Sequence, residues 1–367
     1  MIAICRLGGR VGEFADKVPP GVSLTCRLVH KQSHSRTGRY LAAGAAYRDP
    51  MSRAPWEGAW NHALYGEHGF YRDAAGPAAH FATAAQGIPG AGPLLAAAIV
   101  ALAREYGIAQ VVDFACGRGE LATQVHLLAP QLSVVAVDVV TRPDALPVGI
   151  DWIRSDGGDS IPWALRGMPD ALIIAHEWLD VVPCPVLQHD GHQWCVVEVD
   201  AVGEERLGQP ASADDLQWCA QYWPDEHREG SRIEVGRPRD AAYAALRNCI
   251  ASGVVVAVDY GHLRSARPAS GTLMGYHRGF ACRPRPDGST DITAHVSMDT
   301  LSTSGDAELV RQRDLFDRLD LCPAAAPIAL ARTDPPAYLR SLAARSAYTA
   351  LTADGGLGDF WWSIDPV

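Results

Sequence analysis

At 367 residues, 48% hydrophobic and 20% charged, the chain has the composition of a globular protein able to bury one large core or two small ones. Its formal net charge of −10 argues against nucleic acid as the main partner, because duplex binding needs a basic surface that displaces counterions. The longest apolar run, LLAAAIVALA at 94–103, is half of the ~20 residues that cross a bilayer, and no cationic leader with a cleavage site precedes it, so a cytoplasmic protein with no membrane insertion is expected.

Residues 1–50 hold both lysines of the chain and six arginines against three acids, a net +5 that leaves −15 for the rest. This basic leader, taken as residues 1–52, is expected to stand outside the folded core, either disordered or preceding a true start at Met51. The aromatic stretch ALYGEHGFY (63–71) and a helical pattern over 92–105 predict an N-terminal helical cap spanning 53–105. Beyond it, QVVDFA (110–115), SVVAVDV (133–139), DWIRS (151–155), ALIIAHE (171–177) and GVVVAVDYG (253–261) read as short buried strands. Between the first two, GELATQVHLLAP has helical spacing and ends at a proline. Nearly continuous apolar strands alternating with helices imply a parallel sheet covered on both faces, so the fold class is α/β, a doubly wound Rossmann-like sheet in a main domain over 106–367.

Two insertions interrupt that rhythm. VLQHDGHQWCVVEVD (186–200) alternates with period two around Asp190-Gly191, which predicts a β-hairpin. Within 262–300, the Pro- and Gly-rich stretch from His262 to Asp291 lacks a period and is long for a passive loop, so a lid facing the substrate is expected there. Further on, PPAYLRSLAARSAYTAL is helical, and GGLGDFWWSI is expected to return a strand to the sheet edge. The nine cysteines show no C-x-x-C pair, and Cys116, Cys195 and Cys249 sit in apolar or motif stretches, so they read as reduced thiols. The 13 histidines show no ligand spacing, and no metal is expected.

VVDFACGRGELA (111–122) places a strand, a glycine-rich turn and a helix start in succession. Gly117 and Gly119 let backbone approach a ligand where a Cβ would collide, and the helix N-terminus offers unpaired N–H donors. Asp138 ends the next strand about 20 residues later, where an acid binds both hydroxyls of a ribose. The spacing therefore predicts a nucleoside ligand. Through Gly117, Gly119 and Ala122 the string also fits the dinucleotide pattern G-x-G-x-x-A, which alone is a weak signal. Asp113 inside the first strand gives D-x-A-x-G-x-G, with Ala115 at the third place, and this resembles the first motif of class I methyltransferases. That resemblance implies S-adenosyl-L-methionine as cofactor, with Asp113 near its methionine portion and Asp156 of SDGG facing the adenine amino group.

With those residues in place the chain resembles the MidA-like family, which includes the mitochondrial complex I assembly factor that methylates protein arginine. ALYGEHGFY is similar to the family's L-Y-x-x-x-x-G-Y-Y signature, and HFATAAQ (80–86) to its F-x-T segment. DFACGRGEL resembles E-L-G-x-G-R-G-x-L, IIAHEWLDVVPCPVL resembles A-N-E-x-x-D-A-L-P-V, and VVAVDYGH resembles a strand ending in D-Y-G. GTLMGYHRG (271–279), DITAHVSMDTL (291–301) and GLGDFWW (356–362) are similar to G-T-L-x-x-Y, D-L-T-A-H-V-D-F and G-x-F-x-V-L. His176 stands where the family has Asn, and Ala115 where it has the first Gly. The resemblance implies transfer of methyl to an arginine side chain of a protein, with a respiratory complex I subunit as a candidate substrate, and it places Thr83 and Gln86 closest to the cofactor on the cap side.

ALIIAHEWLDVVP (171–183) then gains a reading. Residues after the fourth strand lie at the carboxyl edge of the sheet, where ligands bind. Carboxylates fix a guanidinium bidentately and collect the proton lost on methylation. Glu177 and Asp180 are three apart, so a helical turn starting here puts them on one face. They are the candidate catalytic acids, with His176 as a hydrogen-bond donor or base; the alternative is that they serve only the dipole of a following helix. Tyr260 and His262, with Gly261 between them, end the next strand and are expected to line the same crevice on the substrate side. A small-molecule methyltransferase and a non-catalytic, cofactor-binding assembly chaperone stay open beside the arginine reading.

Overall fold

A computed structural model describes residues 53–72, 87–223, 227–301 and 305–367; the leader over 1–52 lies outside them. Seven strands form the central sheet: β1 (Gln110–Phe114), β2 (Ser133–Asp138), β3 (Ile150–Arg154), β4 (Ala171–His176), β5 (Gly253–Asp259), β6 (Glu308–Arg311) and β7 (Trp361–Pro366). Their spatial order is β3-β2-β1-β4-β5-β7-β6. The first five run parallel, and β7 is antiparallel to both β5 and β6. The aromatic C-terminal strand therefore does not take the sheet edge expected for it. It is inserted between β5 and β6, and β6 is the edge.

Register explains why the strands read as unbroken apolar runs. Val255, Ile173, Val112 and Val135 are aligned across β5, β4, β1 and β2 and belong to one buried cluster. Their neighbours Val254, Leu172, Val111 and Val134 belong to the cluster on the opposite face. Side chains alternate between faces, and both faces are covered, so both parities are mainly apolar and a buried polar residue such as Asp113 needs a hydrogen-bond partner. On the first-named face Tyr243 and Leu246 of the helix Arg237–Arg247 pack in. The other face receives α2 (Ala91–Glu105), α3 (Glu120–Leu128) and α1 (Trp56–Tyr65), whose Trp56, Trp60 and Leu64 are fully buried. Trp60 also donates its indole N–H to the carbonyl of Ile292 at 2.8 Å. The cap helix is thus continuous with the core of the sheet.

The expected hairpin is present as Val186–His189 paired with Trp194–Val199. Asp190 accepts from the backbone N–H groups of His192 and Gln193, both at 2.8 Å, and Gly191 takes φ +97°, which closes the turn. These strands join Ala54–Pro55, Glu205–Pro210 and Arg232–Glu234 in a second, five-stranded sheet. The segment from His262 to Asp291, read as lacking a period, holds order of its own. Met274–His277 pairs with Phe280–Cys282 and with Asp291–Thr293, and Arg278 and Gly279, at φ +49° and +84°, make the tight turn. Three- and four-residue strands are too short to declare a period. The seven cysteines among the described residues are unpaired, and no helix among those residues is long and apolar enough to cross a membrane.

Candidate active site

At the carboxyl edge of the sheet lies a cavity of about 900 Å³. Its floor is the turn between β1 and α3. Ala115, Gly117 and Gly119 all have positive φ, at +59°, +63° and +78°. For Ala115, which carries a Cβ, that conformation costs about 1–2 kcal/mol. Buried carboxylates hold the turn from both sides. Asp113 accepts from the N–H of Ala122, at 2.9 Å, in the first turn of α3. Asp138 accepts from Gly117 N–H at 2.8 Å and Val140 N–H at 3.2 Å. Burial pushes Asp113 up to about 7 and Asp138 up to about 6, the backbone donors pulling the other way. Both acids line the cavity, as do Ala115 and Gly117; Gly119 supports the turn with its N–H on the carbonyl of Cys116.

Asp156 departs from its expected place. Its side chain is exposed and off the cavity wall, and its carbonyl accepts from Arg72 at 3.0 Å. The wall there is made by its neighbours Ser155, Gly157 and Gly158. Gly157 and Gly158 keep φ +87° and +61°, and the ring of Tyr65 rests against both. Trp178 secures the same turn from beneath, donating its indole N–H to Gly158 O at 2.9 Å while its ring meets the edge of Phe114.

β4 ends at His176, and Glu177 turns the chain with φ +54°, its N–H on Val258 O at 2.8 Å. Both side chains line the cavity, at 7% and 6% exposure, with His176 Nδ1 3.5 Å from Glu177 Oε1. Burial pushes the imidazole down to about 4.

The expected pairing of Glu177 with Asp180 on one helical face does not form. Glu177 is left-handed, the helical turn begins only at Leu179, and Asp180 is fully buried off the cavity wall. Its carboxylate accepts from Tyr260 Oη at 2.7 Å, while its own N–H and that of Leu179 donate to Asp259 at 3.1 and 3.0 Å. Burial, then the charge of Asp180, holds Asp259 well above the usual carboxylate range. The backbone of this turn is held by Arg239, itself fully buried, which donates to the carbonyls of Asp180, Val182, Ala294 and His295.

Tyr260 and His262 are not on the crevice expected for them. Tyr260 is buried under Asp180, and His262 with Gly261 lines a separate cavity of about 360 Å³. His262 Nδ1 lies 2.9 Å from Arg267 Nη1, and burial pushes its imidazole down to about 3. Thr83 and Gln86 lie outside the described residues.

Sequence reasoning named the 63–71 stretch but not its two working side chains. Tyr65 and Tyr71 stack at 5.6 Å and both line the cavity. Tyr65 donates to Val181 O at 3.2 Å and Tyr71 to Asp291 Oδ1 at 2.8 Å, so the cap is tied both to the turn after β4 and to the second insertion. The signal was the run of aromatics itself. For Trp178 and Arg239 there was none, since a lone Trp or Arg in an apolar stretch carries no positional message.

Residues 122–313, rather more than half of the chain, match the model of a family described as "Putative S-adenosyl-L-methionine-dependent methyltransferase". Among solved structures, a COG1565 superfamily member from Burkholderia thailandensis bound to S-adenosyl-homocysteine is 22% identical, with a TM-score of 0.66 over 86% of this chain and 88% of that one. A native structure of a COG1565 superfamily protein from the same organism is likewise 22% identical, with a TM-score of 0.63 over 86% of this chain and 87% of that one. These likenesses establish a shared class I methyltransferase fold. No curated protein matches the sequence.

Proposed function

Because the chain belongs to this family of S-adenosyl-L-methionine-dependent methyltransferases, we propose that its methyl acceptor is an arginine side chain of a protein. The cofactor supplies an electrophilic methyl group on a sulfonium. The cavity fits it: backbone without Cβ at Gly117, an acceptor carboxylate at Asp138 on the end of β2, and aromatic faces from Tyr65 and Tyr71. In this reading Asp138 holds the ribose hydroxyls, Gly117 and Gly119 allow close approach of the turn, and Asp113 stands toward the methionine end.

The observation that carries the arginine reading is Glu177. Its carboxylate is almost withdrawn from solvent on the cavity wall, beside the glycine turn, at the strand end where the acceptor must arrive. In so dry a setting a carboxylate attracts a guanidinium strongly, aligns its planar fork and localises charge away from the attacking nitrogen. Positioning for in-line displacement supplies much of the rate. Asp180 takes a different part from the clamp foreseen for it: bonded to Tyr260 and held by Asp259, it braces the turn on which Glu177 sits. The resemblance of the chain to the MidA-like family points the same way and makes a respiratory complex I subunit the candidate protein in a cytoplasmic setting.

The flat faces of Tyr65, Tyr71 and Trp178 support a second reading, a small aromatic acceptor. Incubation with labelled S-adenosyl-L-methionine and cell lysate, followed by mass spectrometry, separates them. Label on an arginine of a protein supports the proposal; label confined to small molecules overturns it.

A further inference from the structure

We infer that His176 is a catalytic residue, whose Nε2 receives the hydrogen of the nitrogen being methylated while Glu177 faces its Nδ1. Three observations meet in this side chain. The ring lines the cavity at the mouth of β4 and is only 7% exposed. Its Nε2 is buried and meets no hydrogen-bond partner among the described residues, although a buried polar atom left unpaired is costly and ordinarily satisfied. Its other nitrogen is turned to a carboxylate, with 3.5 Å between Nδ1 and Glu177 Oε1. A carboxylate acts only as an acceptor, so Glu177 beside Nδ1 favours the tautomer with the proton there and leaves the Nε2 lone pair free to accept.

An acceptor placed there has work in this reaction. As the N–C bond forms and the C–S bond breaks, the C–S electron pair stays on sulfur, and the nitrogen acquires a positive charge that it sheds by losing a proton. The N–H bond breaks toward Nε2, the resulting imidazolium is stabilised by Glu177, and the proton leaves to solvent once products depart. A proton on a nitrogen that is gaining a fourth bond is strongly acidic, so a weak base suffices. The burial that pushes this imidazole down to about 4 keeps it neutral and ready at physiological pH.

The inference deepens the proposed function and rests on it only for the acceptor atom being nitrogen. The test uses the full chain with labelled S-adenosyl-L-methionine and the lysate protein that takes label, comparing wild type with His176→Gln. Cofactor affinity within about threefold and an unchanged melting temperature establish that the variant folds. With cofactor saturating at every pH, its single-turnover rate is expected to fall by about 10²–10⁴-fold and to climb with pH between 6 and 9 more steeply than wild type, since the proton must then go to solvent. A rate within about threefold of wild type, or parallel pH profiles, overturns the inference. Should His176→Gln fail to fold, nitrogen NMR of histidine-labelled wild type decides: a proton on Nε2 instead of Nδ1 overturns it. Label on a lysine nitrogen would remove the arginine proposal and leave this one standing, whereas label on oxygen or sulfur would remove both.

Discussion

Replacing Asp138 by Ala tests the cofactor assignment through two independent readouts. The carboxylate accepts from Gly117 and Val140, and in the proposed complex it also accepts from the ribose. Losing hydrogen bonds to a charged group costs about 1.5–3 kcal/mol, so the dissociation constant for S-adenosyl-L-methionine should rise roughly 10- to 150-fold. The second readout is pH. Burial places this carboxyl at about 6, and ribose hydroxyls favour the ionised form, so binding expels a proton and affinity must fall as pH drops through that value. At pH 5 about one molecule in ten would hold Asp138 ionised, making wild-type affinity about tenfold weaker than at pH 7.5. The Ala variant lacks that slope. Asp113, raised to about 7 in the same cavity chiefly by burial and in part by the charge of Asp138, titrates lower in the Ala variant, which flattens that variant's slope further. Isothermal titration at the two pH values, with thermal melts to correct for the orphaned N–H groups of the turn, gives all the quantities. Equal affinities at pH 7.5, or equal pH slopes in the two proteins, would refute the reasoning.

Three further outcomes are expected. Glu177→Gln should bind cofactor normally and lose turnover by a factor on the order of a hundred or more; normal steady-state turnover would show that the charge serves only the turn. In Gly157→Ala the new Cβ, on backbone at φ +87°, would stand 2.5 Å from Cδ1 of Tyr65, so folding stability, read from thermal melts, and cofactor affinity should each drop by about 1–3 kcal/mol. Burial, then the charge of Asp180, raises Asp291 to about 7 even with the Tyr71 hydroxyl holding it down, so Tyr71→Phe should push it higher still. A carboxyl whose folded value is raised contributes stability present at low pH and lost as pH rises through that value. The melting temperature of Tyr71→Phe should accordingly fall further behind wild type at pH 8 than at pH 5, and an equal deficit at both would refute the assignment.

Much of this architecture was legible because its cause is local. Apolar runs such as 110–114 and 253–259 announce strands buried on two faces, and the turn at 115–119 announces itself through glycine. What stayed hidden depends on neighbours supplied by distant chain. Nothing in GDFWWSI says that it will lie between two other strands, because an antiparallel insertion is decided by which flank remains open. Asp180 reads as the partner of Glu177 on one helical face until Tyr260 and Arg239 arrive to hold it in the core. Asp156 and Glu177 illustrate the limit most sharply: each follows a strand, yet backbone geometry sends one to solvent and keeps the other on the cavity wall.

The placement of β7 has a consequence for how the molecule comes into being. Trp361–Pro366 follows every other sheet strand in the chain, yet β6 reaches the sheet only through it, and Val256 waits for Ile364 across more than a hundred intervening residues. Until that strand docks, one flank of β5 presents a bare ladder of apolar residues from Val254 to Val258, open to any extended chain nearby. Such distant pairings form slowly, and the unfinished sheet is the state most exposed to aggregation. A chain stopped a few residues before Trp361 would therefore lose far more than a tail: β6 would be cast loose, Asp365 would no longer meet Arg247, and a growing polypeptide would need shelter until its final strand had closed the gap.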